Sequence, residues 1–196
     1  METGSGSRVQ WPHRISHPEC IQLGARSYIH RNALITPINE YAGRRYNPKI
    51  SIGEDVYIGP NLFLACLNRV VIGDGSVLSE SVYINDCSHG LNPTHGLIME
   101  QPLVHGGDIF IGKSCFIGLR CAIMPGVNLG DHCVVGINSV VTRSFPAYSM
   151  VCGSPARLVR KFDPVKNAWT SVKRSESPSA QQEIEENLLS KPAEEP

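Results

Sequence analysis

Several things are missing from this chain, and each absence narrows what it does. Its 18 Lys and Arg are matched by 18 Asp and Glu, so the formal net charge is zero. No general attraction to nucleic acid or to an acidic membrane follows from such a balance. There is no apolar run long enough to span a bilayer and no amino-terminal signal pattern, so a cytoplasmic protein with no transmembrane segment is expected. The seven cysteines include no CxxC pair, which argues against a disulfide framework and against a cysteine metal site.

What the chain has instead is a beat. From Ile109 to Thr142 it repeats every six residues, as IGKSCF, IGLRCA, IMPGVN, LGDHCV, VGINSV and VTRSFP, opened by Ile111, Ile117, Ile123, Leu129, Val135 and Val141. A period of six fits neither the 3.6 of a helix nor a plain alternating strand. It fits a parallel β-helix, in which each hexad is a short strand plus a corner. The beat is present upstream at Leu23, Ile29 and Ile35, at Ile52, Ile58 and Leu64, and at Ile72, Leu78 and Ile84. Grouped in threes, these hexads make an all-β prism of about five triangular coils.

Two long interruptions break the prism, one from Thr36 to about Lys49 and one from Asn85 to Asp108, with a small irregularity from Asn68 to Val71. Long loops in a compact array are usually functional or disordered, so chemistry is sought in the second. The expected organisation is an amino-terminal segment over 1–20 (its opening METGSGS polar and flexible), the prism over 21–160, and a polar tail over 161–196. The tail is expected to be largely disordered, with QQEIEENLLS forming one short amphipathic helix. Glycine follows the aliphatic residue in many hexads, where a Cβ would crowd the neighbouring coil or demand a strained φ. Cys115, Cys121 and Cys133 fall in the fifth slot of their hexads and read as buried thiols acting as small hydrophobes.

The hexads, the His-bearing loop and the closing run PGVNLGDHCVVGINSVVTRSFPAYSMVCGSPARLVR resemble the hexapeptide-repeat acyltransferases. The branch they are most similar to holds the galactoside, maltose and nodulation-factor O-acetyltransferases and their exopolysaccharide relatives. The resemblance covers about Leu23 to Arg160. It implies a left-handed β-helix, although the general preference for right-handed crossovers points the other way. It also implies a homotrimer with active sites in the clefts between subunits.

The family's catalytic histidine stands at the start of the long loop, which INDCSHG places at His89. A sugar hydroxyl attacking a thioester must lose its proton as the C–O bond forms, and a neutral imidazole within reach can take it. His95 and His105 share the loop, and His105 is the candidate for lining the same cleft. Asn85 and Asp86 are candidates for orienting the imidazole or holding a sugar hydroxyl, with corner Asx turns as the alternative. Family contacts to acetyl-CoA carry over onto Leu119, Ile137, Thr142, Arg143, Arg157 and Arg160, Leu119 departing from the small polar residue of some relatives. With Lys161 the three arginines form a cationic cluster suited to the phosphates of CoA. In the first interruption, Tyr41, Arg44, Arg45 and Tyr46 suit either stacking on a sugar or packing against a neighbouring subunit.

The expected activity is therefore acetyl transfer from acetyl-CoA to a hydroxyl of a sugar or of a polysaccharide or glycolipid precursor, with no metal. The alternatives are N-acetylation of an amino sugar, a non-catalytic scaffold, and a zinc enzyme of the gamma-class carbonic anhydrase type. The last needs three convergent ligands, whereas His89, His95 and His105 crowd one loop without the spacing of that class.

Overall fold

The computed structural model describes residues 1–172. The chain winds as a left-handed parallel β-helix whose strands fall on three faces. Face 1 stacks Glu2–Thr3, Ile21–Leu23, Lys49–Ile52, Arg69–Ile72, Ile109–Ile111 and Asn128–Leu129. Face 2 begins Arg8–Val9, Tyr28–Ile29 and Tyr57–Ile58 and runs on to Ser149–Gly153, while face 3 stacks Arg14–Ile15, Leu34–Pro37, Phe63–Cys66, Tyr83–Asn85, Ala122–Ile123 and Val140–Val141.

Register explains the beat. Leu23, Ile52, Ile72, Ile111 and Leu129 pair rung on rung along face 1. Ile29, Ile58, Leu78, Ile117 and Val135 do so on face 2, and Ile35, Leu64, Ile84, Ile123 and Val141 on face 3. All fifteen residues are at most 3% exposed. Burying each of these side chains contributes roughly 1.5–3 kcal/mol, which no two-residue strand could gain alone.

The corners divide two jobs that the sequence reading had combined. A Cβ on Gly112 would lie 2.7 Å from the backbone nitrogen of Asp131, and one on Gly130 would lie 2.3 Å from that of Ala147. Close approach between coils is thus what these glycines permit. The left-handed backbone sits two residues further on and is mostly not glycine, as at Asp55 (φ 54°), Ser114 (φ 53°) and His132 (φ 57°). That conformation costs roughly 1–2 kcal/mol per residue. It aims each N–H at the preceding coil, with Asp55 donating to the Ala25 carbonyl at 2.9 Å and Ser114 to that of Asp74 at 2.8 Å.

The fifth slot also proves richer than a small hydrophobe. At the corner between faces 1 and 2, the Ser27 and Ser76 hydroxyls donate to the Gly53 and Gly112 carbonyls at 2.7 and 2.8 Å. Cys115 and Cys133 continue the column, their thiols reaching the Gly130 and Pro146 carbonyls at 3.3 and 3.2 Å. A buried donor in this slot satisfies a corner carbonyl that would otherwise cost free energy.

Both termini extend further into the fold than expected. The amino-terminal segment is a full coil, in which Thr3 pairs with Leu23, Val9 with Ile29 and Ile15 with Ile35. Thr3, Val9 and Ile15 are themselves six apart, so the beat was present but opened on a polar residue. At the other end, Ala156–Asp163 pairs antiparallel with Ser149–Gly153 and then with Ala168–Ser171. Residues 161–171, expected to begin the tail, therefore carry strand. An aromatic row fixes them, with Tyr148 stacked on His132 and facing Phe162, and Phe162 edge-on to Trp169. The helix expected within 181–190, and the rest of the tail from 173 onward, lie outside the described residues.

The donor column makes a testable distinction. Cys133→Ser keeps a donor in the slot and is expected to change the thermal midpoint little. Cys133→Leu overfills it and is expected to cost about 1–3 kcal/mol. A loss in Cys133→Ser as large as that in Cys133→Leu, read by thermal unfolding, would contradict the donor reading of this slot, because serine keeps both the donor and the small size.

Candidate active site

The two interruptions emerge at one edge of the prism, because each follows a face 3 strand, Leu34–Pro37 in one case and Tyr83–Asn85 in the other. Between them the intervening coil makes only a tight turn at Leu67 and Asn68. Asp86 secures that turn. It is fully buried, and its carboxylate accepts the backbone N–H groups of Leu67 at 2.6 Å, Asn68 at 2.8 Å and Arg69 at 3.1 Å. Asp86 is thus a cap for backbone donors, which removes it as an acceptor-binding or imidazole-orienting group. Its charge and the burial around it also raise neighbouring thiols. Desolvation first, then Asp86, pushes Cys87 up to about 11 and Cys66 further, so both remain protonated thiols at neutral pH.

Each interruption builds its own scaffold. In the first, Glu40–Tyr41 and Arg44–Arg45 form a hairpin closed by Ala42 and Gly43, both at positive φ (47° and 72°), as a two-residue type I′ turn requires. In the second, Cys87–Ser88 pairs with Val104–His105 to make a stem. Gln101, only 4% exposed, ties the loop above it. Its side chain accepts from Asn92 N–H at 3.0 Å and donates to the Asn92 and Gly96 carbonyls at 3.0 and 3.3 Å. Returning to the prism, Gly106 donates to the Asp86 carbonyl at 2.9 Å, and a Cβ there would fall 2.5 Å from Pro125.

The loops enclose a cleft of about 610 Å³ with His89 in its wall. The imidazole is half-buried. Tyr41 meets it edge-on, ring centroids 5.6 Å apart, with the phenol oxygen 3.4 Å from Nδ1. Phe63 and Tyr83, stacked 5.0 Å apart and nearly parallel, floor the cleft. Asn85 lines it too, its amide donating to the Tyr83 oxygen at 3.0 Å and its carbonyl accepting the Cys87 N–H at 3.0 Å. Ser16, His17 and Asn39 also line it. A groove of similar size, about 640 Å³, lies on face 1, but it contains no imidazole.

Of the remaining sequence candidates, His105 turns elsewhere. It is exposed, pairs with Asp108 at 3.1 Å and borders a separate depression with Tyr46 and Asn68. His95 lies 3.3 Å from the Asn92 amide. The three loop histidines do not converge, and no group of three His, Cys, Asp or Glu among the described residues is arranged to hold a metal ion. The expected acetyl-CoA contacts fall on other parts of the surface. Leu119 and Ile137 occupy one corner on successive coils, where Asn138 N–H reaches the Leu119 carbonyl at 2.8 Å. Thr142 and Arg143 follow the last face 3 strand, on the edge that carries the two loops, with Arg143 over the Phe145 ring at 5.5 Å. Arg157 and Arg160 lie on the closing hairpin. None of the six lines the His89 cleft within one chain.

Sequence reasoning missed Phe63, Tyr83 and Gln101. The two rings were detectable, since each stands one place before an inward aliphatic residue, Leu64 or Ile84, and so must point outward. Gln101 gave no signal, because its role depends on how the loop folds back.

Asp86→Ala would orphan three backbone donors and is expected to cost about 3–5 kcal/mol, read as a large fall in thermal midpoint. Asp86→Asn, which keeps one acceptor oxygen, should fall between the variant and the native protein. An unchanged midpoint in Asp86→Ala would show that the carboxylate is not the anchor of this corner.

Comparison with known proteins places this geometry. Residues 109–143 match the hexapeptide repeat of succinyl-transferase. The chain is 32% identical over 133 residues to WcaF of Escherichia coli K12, described as a candidate colanic acid biosynthesis acetyltransferase, covering 68% of each chain. It is 30% identical to the galactoside O-acetyltransferase of the same organism, over 60% of this chain and 57% of that one. Among solved structures, the fold is shared with AntD, an N-acyltransferase from Bacillus cereus in complex with dTDP and 3-hydroxybutyryl-CoA (TM-score 0.64, 18% identity, 95% and 89% coverage). It is shared also with a maltose O-acetyltransferase from Clostridium difficile 630 (TM-score 0.55, 22% identity, 83% and 70% coverage). With its repeats, its looped edge and these relatives, the chain belongs to the hexapeptide-repeat acyltransferases, in their sugar and polysaccharide O-acetyltransferase branch.

Proposed function

We propose that the protein transfers the acetyl group of acetyl-CoA to a hydroxyl of a sugar or of a sugar unit in a polysaccharide or glycolipid precursor, with His89 as general base. The observation that carries the reading is the half-buried His89 imidazole in the wall of a cleft of about 610 Å³ that both loops build. The cleft is large enough for a sugar unit. Its floor, the parallel Phe63 and Tyr83 rings, offers an apolar face to a pyranose, and Asn85 offers an amide.

In this mechanism the acceptor hydroxyl gives its proton to His89 as its oxygen bonds to the thioester carbonyl carbon. The tetrahedral intermediate then collapses, the C–S bond breaks, and the CoA sulfur leaves and takes up the proton that the imidazolium returns. An acetyl ester and free CoA thiol result, with atoms and charge balanced. A base so placed contributes roughly 10²–10⁴-fold. Arg143, Arg157 and Arg160 with Lys161 are the candidates for the CoA phosphates, in keeping with the bidentate fit of guanidinium to phosphate oxygens. Because these positions lie outside the His89 cleft of their own chain, the reading includes a homotrimer in which a second prism supplies part of the cofactor site. The 63% exposure of Ile137 is consistent with such a contact.

His89→Ala is expected to lower acetyl transfer to sugar acceptors by at least about 10²-fold while preserving the folded assembly. Arg160→Ala is expected to raise the KM for acetyl-CoA with little change in kcat, the pattern of a lost uniform binding contact. Unchanged turnover in the first variant removes His89 from the mechanism, and an unchanged KM in the second removes Arg160 from the phosphate site.

A further inference from the structure

We infer that Tyr41 is the positioning residue of this site: its phenol oxygen accepts the Nδ1–H of His89, so that Nε2 is left bare to take the proton of the acceptor. The inference rests on the function proposed above for His89.

Proton counting carries it. A phenol has one O–H to donate and lone pairs with which to accept. The Tyr41 hydroxyl lies 2.9 Å from the backbone carbonyl oxygen of Met99. A carbonyl can only accept, so that bond uses the phenol's proton. Toward His89 Nδ1, at 3.4 Å, the phenol oxygen can then act only as acceptor, and Nδ1 must be the nitrogen that carries hydrogen. Neutral imidazole has a single N–H, so Nε2 holds the free lone pair. The contact is long for a hydrogen bond, as catalytic contacts often are before ligand tightens them. Among the described residues no carboxylate pairs with His89, so the phenol takes the orienting part that a second-shell acceptor plays beside a functional histidine.

Both ends of the relay are held in place independently. Tyr41 is set by the Ala42–Gly43 turn of the first loop's hairpin. The Met99 carbonyl belongs to the short turn Ile98–Glu100, next to Gln101 and its three hydrogen bonds within the second loop. The edge-on packing of the Tyr41 ring on the imidazole restricts rotation of His89. One interruption thus supplies the base, and the other sets which of its nitrogens is basic.

Tyr41→Phe keeps the ring and removes the oxygen, and two readouts test it. With mono- and disaccharide acceptors, kcat is expected to fall about 10–100-fold while the KM for acetyl-CoA stays within about twofold. In ¹⁵N-histidine spectra, with the His89 signals identified by their loss in His89→Gln, the native protein should show protonated Nδ1 and bare Nε2 in the neutral ring. Tyr41→Phe should show the proton shared between the nitrogens. Protonated Nε2 in the native protein, or a His89 spectrum unaltered by Tyr41→Phe, overturns the inference. The spectra do not depend on turnover. Should they come out as expected while both Tyr41→Phe and His89→Ala turn over at the native rate, it is the catalytic role of His89 that falls.

Discussion

Backbone stacked directly on backbone, one rung about 4.8 Å above the next, is the constraint on which this molecule depends. Strands of two residues have no stability of their own, so every coil must register with its neighbours through both hydrogen bonds and side chains. The aliphatic ladders give the inner contact, from Leu23 to Leu129 on one face and Ile35 to Val141 on another. The corners must then let backbones touch, which removes the Cβ at positions such as Gly130. They must also turn each free N–H toward the coil before it, which puts Asp55, Ser114 and His132 in the left-handed region. The serines and cysteines of the fifth slot serve the same end by donating to corner carbonyls.

That regularity makes the interruptions mechanically useful. Three successive coils leave the same edge in three ways: a hairpin after Pro37, a tight turn at Leu67 and Asn68, and a long stem-loop after Asn85. The tight turn lets the two loops meet across it, and Asp86 holds it there with three backbone donors. Tyr41 crosses two rungs, roughly 10 Å, to reach His89. The side chains of the candidate site, Tyr41 and His89, therefore stand on loops that flank a turn held by three backbone hydrogen bonds, as a site that must hold its geometry requires.

The sequence disclosed the repeating part almost completely, because a period of six has one structural meaning. All fifteen aliphatic residues that open the hexads are core ladder residues. Its extent was harder to read at both ends, since the first coil opens on Thr3 and the closing hairpin depends on contacts among Tyr148, Phe162 and Trp169 that have no period. The lining of the candidate cleft was legible where it is tied to the repeat. His89 stands in the wall of a cleft, and Asn85 lines the same cleft, because both positions count from Ile84. Asp86 and His105 differ in role, because the corner carboxylate of Asp86 turns inward to accept three backbone N–H groups while His105, on the loop's stem, turns outward to Asp108. The meeting of Tyr41 with His89 joins residues 48 apart through two loops, and no local pattern encodes it.

The central claim is that this edge of the prism is an acetyl-CoA-dependent transfer site. Isothermal titration of the protein with acetyl-CoA tests it most directly. The expected result is saturable binding at one site per chain that weakens as salt rises, since arginines meeting phosphates are screened. An absence of binding at millimolar acetyl-CoA would contradict the claim and leave the prism as a scaffold.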